Sequence, residues 1–307
     1  MSKKIASLFF ILMSIASNAQ DIKVTSGKIE RFPNFKSQFV DARNVDVWLP
    51  NGYSNKEKYA VLYMHDGQML FDAAQTWNKQ AWEIDEVAGH LIAANKTRKF
   101  IVVGIWNNGA KRHPEYFPQK PYQQLTSVQK EFVSNDLLKK GKINQTFNPI
   151  SDNYLKFIVT ELKPFIDKTF STKTNRKNTF IAGSSMGGLI SIYAICEYPK
   201  VFGGAACLST HWTGIYQLKN NPIPEIFFNY LKTQLPKPKN HKLYFDYGNK
   251  TLDSLYPSLQ KRVDTIIIEK GFTDKNWMTK SFPEKDHSEN SWHERVHIPL
   301  EFLLKKD

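Results

Sequence analysis

Residues 180–191 read FIAGSSMGGLIS, with three glycines and two serines set between apolar runs. That composition suits a sharp turn from a strand into a helix, and Gly183-Ser184-Ser185-Met186-Gly187 has the spacing Gly-x-Ser-x-Gly. In such a turn the central serine is strained, so the residues two positions to either side must lack bulk. Centring on Ser185 puts Gly183 and Gly187 in those places, whereas centring on Ser184 would put Ala182 and Met186 there. Ser185 is therefore the candidate nucleophile. The N-terminus of the following helix would turn its free N–H groups and positive end toward developing negative charge.

Outward from this turn, apolar runs alternate with helical patterns. YAVLYMH (59–65), KFIVVGI (99–105), NTFIAG (178–183) and VFGGAACLS (201–209) read as buried parallel strands. FVDARNVDVWLP (39–50) has the alternation of an exposed early strand, while HKLYFDYG (241–248) and WMTKSFP (277–283) read as late strands. Helices are expected over 78–95, 151–170, 185–199, 254–270 and 292–306, with Ser151, Asp152 and Asn153 as N-caps of the second. The alternation predicts an α/β fold: a mostly parallel central sheet with helices on both faces. Residues 107–150 and 212–240 fit it poorly and are expected as cap segments over the carboxyl edge, where open α/β folds bind ligands.

The first residues have the layout of an export leader: Lys3 and Lys4, an apolar stretch over 5–15, then Ser17 and Ala19 before Gln20. The apolar stretch is short for a membrane span, so no stable membrane insertion is expected after cleavage, and the mature protein is expected in a periplasm or outside the cell. Residues 20–307 suit a single domain. The formal charge of +13 is spread along the chain, with no basic block interleaved with aromatics, so nucleic acid is not an expected partner. Cys196 and Cys207, both in apolar surroundings, read as buried free thiols rather than a metal site.

A serine nucleophile needs a general base and an orienting carboxylate, in the chain order Ser, acid, His for this kind of turn. Among the later histidines, His287 in PEKDHSENSW directly follows the last expected strand and is the candidate base. His293 and His297 stand four apart on the expected last helix, where an ordinary helix face is a better reading than a metal pair. YFDYGNKTLDSLY offers two acids: Asp246 at or inside the strand end, and Asp253 in the loop beyond, where a carboxylate reaches across more easily. Asp253 is favoured. The oxyanion donors are expected from the backbone N–H of Met186 and of Gln68, in the loop after YAVLYM, with His65 and Asp66 as turn supports.

The motifs YMHDGQMLFD, VVGIWNNGAKRHPEYFP, GSSMGG, FGGAACLSTHW and DHSENSW, in that order, run through almost the whole mature chain from about residue 36. On these the chain resembles an esterase family of α/β-hydrolases. That family includes feruloyl and acetylxylan esterases of carbohydrate esterase family 1, enterochelin esterases and S-formylglutathione hydrolases, with mycolyltransferases as relatives. The resemblance implies the α/β-hydrolase fold, a triad on Ser185, Asp253 and His287, an oxyanion hole on Gln68 and Met186, and no cofactor or metal. Many relatives carry the acid three residues after the loop glycine; here that residue is Thr251, and Asp253 is the nearest acid. The implied substrate is a small-molecule or oligosaccharide ester, with a feruloyl or acetyl carbohydrate ahead of a siderophore lactone. A catalytically silent binding protein on the same fold is the rival from another class. Trp77, Trp106, Tyr116, His211 and Trp212 are candidate aromatic walls of the cleft. Arg112 is a candidate for a substrate carboxylate or for an ion pair with Glu115.

Overall fold

The computed structural model describes residues 22–306, so the expected leader over 1–19 lies outside the described residues. Strands that are apolar on both faces need cover on both sides, and this requirement organises the molecule. Among the described residues eight strands form one sheet: β1 (Lys28–Phe35), β2 (Arg43–Leu49), β3 (Ala60–His65), β4 (Phe100–Ile105), β5 (Thr179–Ser184), β6 (Gly204–Leu208), β7 (Lys242–Tyr247) and β8 (Trp277–Ser281). Their order is β1-β2-β4-β3-β5-β6-β7-β8. From β4 to β8 every pairing is parallel; β1 and β2 are attached antiparallel at one edge. This is the α/β-hydrolase fold expected from the sequence. Every residue of β3, β4, β5 and β6 is buried.

The helices are α1 (Ile84–Ala93), α2 (Arg112–Tyr116), α3 (Gln119–Gln123), α4 (Ser127–Lys139), α5 (Ser151–Phe157), α6 (Lys163–Thr169), α7 (Met186–Glu197), α8 (Ile223–Gln234), α9 (Pro257–Glu269), α10 (Glu289–His293) and α11 (His297–Leu304). One face of the sheet packs on α1 and α11 through Ile84, Ala88, Leu91, Leu300 and Leu303. The other face packs on α5, α7, α8 and α9, with Leu155, Ile190, Phe227 and Val263 in its core. Cys196 and Cys207 are buried free thiols, as their apolar surroundings suggested. Among the described residues no helix is long and apolar enough to cross a membrane.

Four expectations are corrected. β1 was not expected: Pro33 lacks an N–H, and the register shifts between Phe32 and Phe35, which an edge strand tolerates. Its presence covers β2, which is almost wholly buried rather than exposed. Ser151, Asp152 and Asn153 lie inside α5, whose N-cap is Ile150 with no side-chain cap. Ser151 Oγ instead accepts the Gln119 N–H at 3.0 Å, and Asp152 accepts the Tyr193 hydroxyl at 2.5 Å, so this helix start is tied to its neighbours. Finally, the last expected helix is broken: His293 ends α10 and His297 begins α11 across a turn, so the two are not stacked on one helix face. The two expected cap segments carry helices of their own, α2 to α4 in one and α8 in the other.

The chain leaves β3 to form β4 on one side and later β5 on the other. The carboxyl ends of β3 and β5 therefore sit side by side where the winding reverses, the crevice in which open α/β sheets place their sites.

Candidate active site

Ser185 stands between the last residue of β5 and the first of α7, with φ 57° and ψ −121°. A non-glycine residue pays for this conformation in strain, which surrounding bonds must hold. Ser185 N–H donates to Leu208 O at 2.9 Å, and its carbonyl accepts from Leu189 N–H at 3.1 Å and His211 N–H at 3.2 Å. The steric requirement falls on Gly183, while Gly187 matters as the backbone that Gly183 approaches. A Cβ on Gly183 would lie 2.8 Å from the Gly187 backbone, and one on Gly187 would meet His65 Cβ at 3.4 Å. Met186 opens α7, so its N–H belongs to the first turn, which has no acceptor inside the helix.

The loop after β3 turns through Asp66, at φ 56°, into a single tight turn over Gly67–Met69. Its backbone bonds run from Met69 N–H to Asp66 O and from Leu70 N–H to Gly67 O, leaving the Gln68 N–H outside the turn's own pattern. Gly67 lies against β4, where a Cβ would come within 2.6 Å of the Gly104 carbonyl carbon. Gln68 Oε1 accepts the Asn107 N–H at 3.1 Å, which ties this loop to the segment after β4.

Asp66 supports the turn, as expected. Arg112 Nε and Nη2 both reach its carboxylate at 2.7 Å, and Asn107 Nδ2 adds a third bond at 2.7 Å. Burial works against the charge of Asp66, but Arg112 and Asn107 hold its carboxyl below the usual range. Arg112 is thus taken up by Asp66, not by Glu115, which forms a buried two-bond pair with Arg43 at 2.7 and 2.8 Å. His65 Nδ1 meets the Tyr154 hydroxyl at 2.9 Å, while its buried Nε2 has no partner among the described residues. Burial, aided by the Arg112 charge, pushes its pKa down to about 3. His113 is likewise pushed down to about 3, by burial and then Arg112.

Between the two candidate acids the geometry separates clearly. Asp253 is buried and its Oδ1 lies 2.5 Å from His287 Nδ1. Its Oδ2 accepts the Gly248 N–H and the Ser209 hydroxyl, both at 2.6 Å. Asp253 sits in the short turn Thr251–Leu255 and makes no cap bond there. Asp246, inside β7, faces Arg295 at 3.1 Å and Tyr244 at 3.1 Å. Burial raises its pKa to about 6 against the pull of Arg295. His287 packs edge-on against Trp292, with ring centroids 5.0 Å apart, and against Tyr256 at 5.9 Å. Tyr256 in turn bonds His211 Nδ1 at 2.8 Å, and His211 donates its N–H to Ser185 O. No hydrogen bond joins Ser185 Oγ to His287 among the described residues; such contacts commonly close only around substrate.

The expected aromatic walls fare unevenly. Tyr116, His211 and Trp212 are buried and engaged: Tyr116 accepts the Asp66 N–H, and Trp212 Nε1 bonds Gln260. Burial, with the positive charge of Arg112, drives the His211 pKa well down. Trp106 is half-buried, with Nε1 on Asp46 at 2.7 Å and the Arg31 guanidinium 4.9 Å over its ring, beside Gln68 in a small cavity. Trp77 is 85% exposed, in the loop that Asn78 fastens to Glu289 at 2.7 Å. Sequence reasoning missed Ser209, Tyr256, Trp292 and Arg295, which converge on the Asp253–His287 pair. Only their position after late strands, shared by many other residues, hinted at them. Among the described residues no group of His, Cys, Asp and Glu is arranged to hold a metal.

Comparison with known proteins agrees with this architecture. An Endo-1,4-beta-xylanase/feruloyl esterase of Xylanibacter ruminicola is 27% identical over 61% of this chain, a match spanning 22% of that protein's own length. The uncharacterized protein YbbA of Bacillus subtilis is 22% identical over 76% of this chain and 80% of its own. Among solved structures, a CE1 ferulic acid esterase from Anaeromyces mucronatus, in complex with ferulic acid, superposes with TM-score 0.62 at 17% identity, covering 92% of this chain and 93% of that one. The enterobactin esterase FES of Shigella flexneri, in the presence of enterobactin, gives 0.65 at 13% identity, covering 91% and 60%. At these identities the superpositions speak for the fold. The family described as Putative esterase matches residues 37–297, most of the chain, and the protein belongs to that family.

Proposed function

We propose that the protein is an exported serine carboxylesterase that cleaves acylated carbohydrate, feruloyl or acetyl, through an acyl-enzyme. The observation that carries this reading is the Asp253 carboxylate 2.5 Å from His287 Nδ1, on the sheet edge that also presents the strained Ser185. A carboxylate accepts only, so it keeps the imidazole proton on Nδ1 and leaves Nε2 to take another. Ser185 Oγ attacks the ester carbonyl carbon as its proton passes to His287 Nε2. The oxyanion receives hydrogen bonds from the Met186 and Gln68 N–H groups, each worth on the order of 3 kcal/mol of barrier. The carbon–oxygen bond to the alcohol breaks, and His287 returns the proton to the leaving oxygen. Water, deprotonated by His287, then attacks the acyl carbon, releasing the acid and restoring Ser185.

Export rests on the leader layout of residues 1–19, and the carbohydrate ester on the feruloyl esterases among the relatives. The likeness to enterobactin esterase supports a second reading, a siderophore lactone. The test is release of ferulate from methyl ferulate, against p-nitrophenyl acetate and a catecholate trilactone, with Ser185→Ala as blank. Ferulate turnover lost by about three orders of magnitude or more in Ser185→Ala supports the proposal. Turnover of the trilactone alone would favour the siderophore reading. No turnover of any ester by folded protein would point to a binding protein, and turnover retained in Ser185→Ala would remove Ser185 from the mechanism.

A further inference from the structure

Arg295 lies beneath the site in an unusual state. It is 2% exposed, yet its Nε and Nη1 have no hydrogen-bond partner among the described residues. A buried guanidinium left partly unsatisfied is costly, and natural cores rarely keep one without use. Its remaining nitrogen, Nη2, reaches Asp246 Oδ1 at 3.1 Å and Ser209 Oγ at 2.9 Å, and stands 3.9 Å from Asp253 Oδ2. The guanidinium therefore faces two buried carboxylates, one of which holds His287.

Ser209 is equally constrained. It is buried, with φ 43°, and its N–H donates to Asp246 O at 2.8 Å. Its hydroxyl meets three groups: Trp292 Nε1 at 3.0 Å, Arg295 Nη2 at 2.9 Å and Asp253 Oδ2 at 2.6 Å. Indole and guanidinium can only donate, so both lone pairs of Ser209 are taken and its single proton can point only to Asp253. The hydroxyl is thus fixed in direction by its own neighbours. Trp292 also packs on the His287 ring, so one indole braces both partners of the acid–base pair.

We propose that Ser209 and Arg295 are positioning residues for the reaction. Ser209 fixes the plane of the Asp253 carboxylate, and the Arg295 charge, shared between Asp246 and Asp253, weakens the hold of that carboxylate on the His287 proton. The inference rests on the triad reading above. Its physical content is a trade: a weaker pull by Asp253 makes His287 a weaker base but leaves it unprotonated, and ready to accept, at lower pH. The other groups that face His287 are Asp286, next to it in the chain, His211, and Tyr256. They are untouched by the substitutions below.

The test is the His287 imidazole titration, followed by NMR in the mature protein, together with the pH profile of kcat/KM. In Ser209→Ala and in Arg295→Met the imidazole midpoint should rise by about half a unit or more. The acid limb of the profile should move up with it. In Arg295→Met the Asp246 carboxyl, already raised to about 6 beside the guanidinium, should take up a proton and leave no second buried charge. Arg295→Lys should hold the midpoint near its original place. In Ser209→Ala, kcat should fall by about tenfold or more with KM nearly constant, because orientation of the base is felt mainly in the transition state. Should Arg295→Met fail to fold, Ser209→Ala and Arg295→Lys still read the coupling. Folded variants with a lowered melting temperature and an unmoved midpoint would overturn the proposal. A midpoint that moves in a protein without ester turnover would instead uphold the coupling and sink the triad reading, so the two failures are distinguishable.

Discussion

The Ser185 turn is decided by atoms that are missing. Gly183 and Gly187 approach so closely that a methyl group on the first would overlap the backbone of the second by several tenths of an ångström. Gly183→Ala should therefore cost about 1–3 kcal/mol of stability, since backbone rather than a flexible side chain must yield. The same shift moves Ser185 off its strained conformation, so ester turnover should fall by about tenfold or more. Urea unfolding and p-nitrophenyl acetate hydrolysis measure the two effects; unchanged values for both would mean that the turn is looser than its geometry implies. This local steric rule is why the turn was legible in the sequence. The choice between the candidate acids was less so, because Asp246 and Asp253 are seven positions apart and both follow the same apolar run. Their separation became visible only in three dimensions, where one faces His287 and the other Arg295. Ser209 and Arg295 left no readable trace, since their meaning lies in partners far along the chain.

At the scale of elements, the sequence disclosed what is repetitive. Apolar runs over β3 to β7 were readable because strands buried on both faces carry no competing pattern. β1 was hidden by its proline and its polar residues, and the break between α10 and α11 by a continuous apolar spacing that ignores the turn at 294–296. The short α2 was unreadable for a different reason: its position is fixed by charge. Glu115 on α2 grips Arg43 on β2, and three residues earlier Arg112 grips Asp66 in the loop that carries Gln68. One helix turn thus links the sheet edge to the candidate oxyanion loop. Glu115→Ala leaves a buried arginine without its counter-charge and should destabilise the fold by about 3–5 kcal/mol. Arg43→Met combined with Glu115→Leu removes both charges and should recover most of that loss. Denaturant unfolding of the two variants checks this, and equal destabilisation of single and double variants would show that packing, not charge, dominates there.

For the molecule as a whole, the buried histidines set the response to acid. His65 and His113 have folded pKa values of about 3, and His211 is also driven well below its ordinary value. On unfolding they regain the ordinary value of about 6.5, so below that pH the unfolded chain binds more protons than the native one. Their contribution is present above pH ~6.5 and is lost as pH falls toward about 3, with a limiting slope of ~1.4 kcal/mol per pH unit for each histidine. Asp246 acts in the opposite sense: its carboxyl, raised to about 6, contributes stability at low pH that is lost as pH rises through that value. Asp85 and Asp264, whose carboxyls burial also raises, act with Asp246, but the three histidines carry the steeper change, so the urea midpoint should fall from pH 6.5 to pH 4.5. His65→Asn should flatten the slope by about half between pH 4.5 and 6, where Asp246 offsets one of the three histidines. A flat profile in the parent protein would mean that these rings titrate normally in the native state.

The candidate catalytic groups come from the ends of β3, β5, β7 and β8, and His287 is the last of them in chain order. That arrangement has a consequence in time. A ribosome adds residues from the N-terminus at about 5–20 per second, and earlier segments can begin to fold before later ones exist. The serine turn and the Gln68 loop can form early, but the candidate base arrives only with the segment after β8, which docks against the loops after β3 and β7 through Glu289 and Asp253. On the triad reading, a nascent chain that stops short of His287 carries Ser185 without the group proposed to deprotonate it. On that reading, chemistry is withheld until synthesis has passed His287.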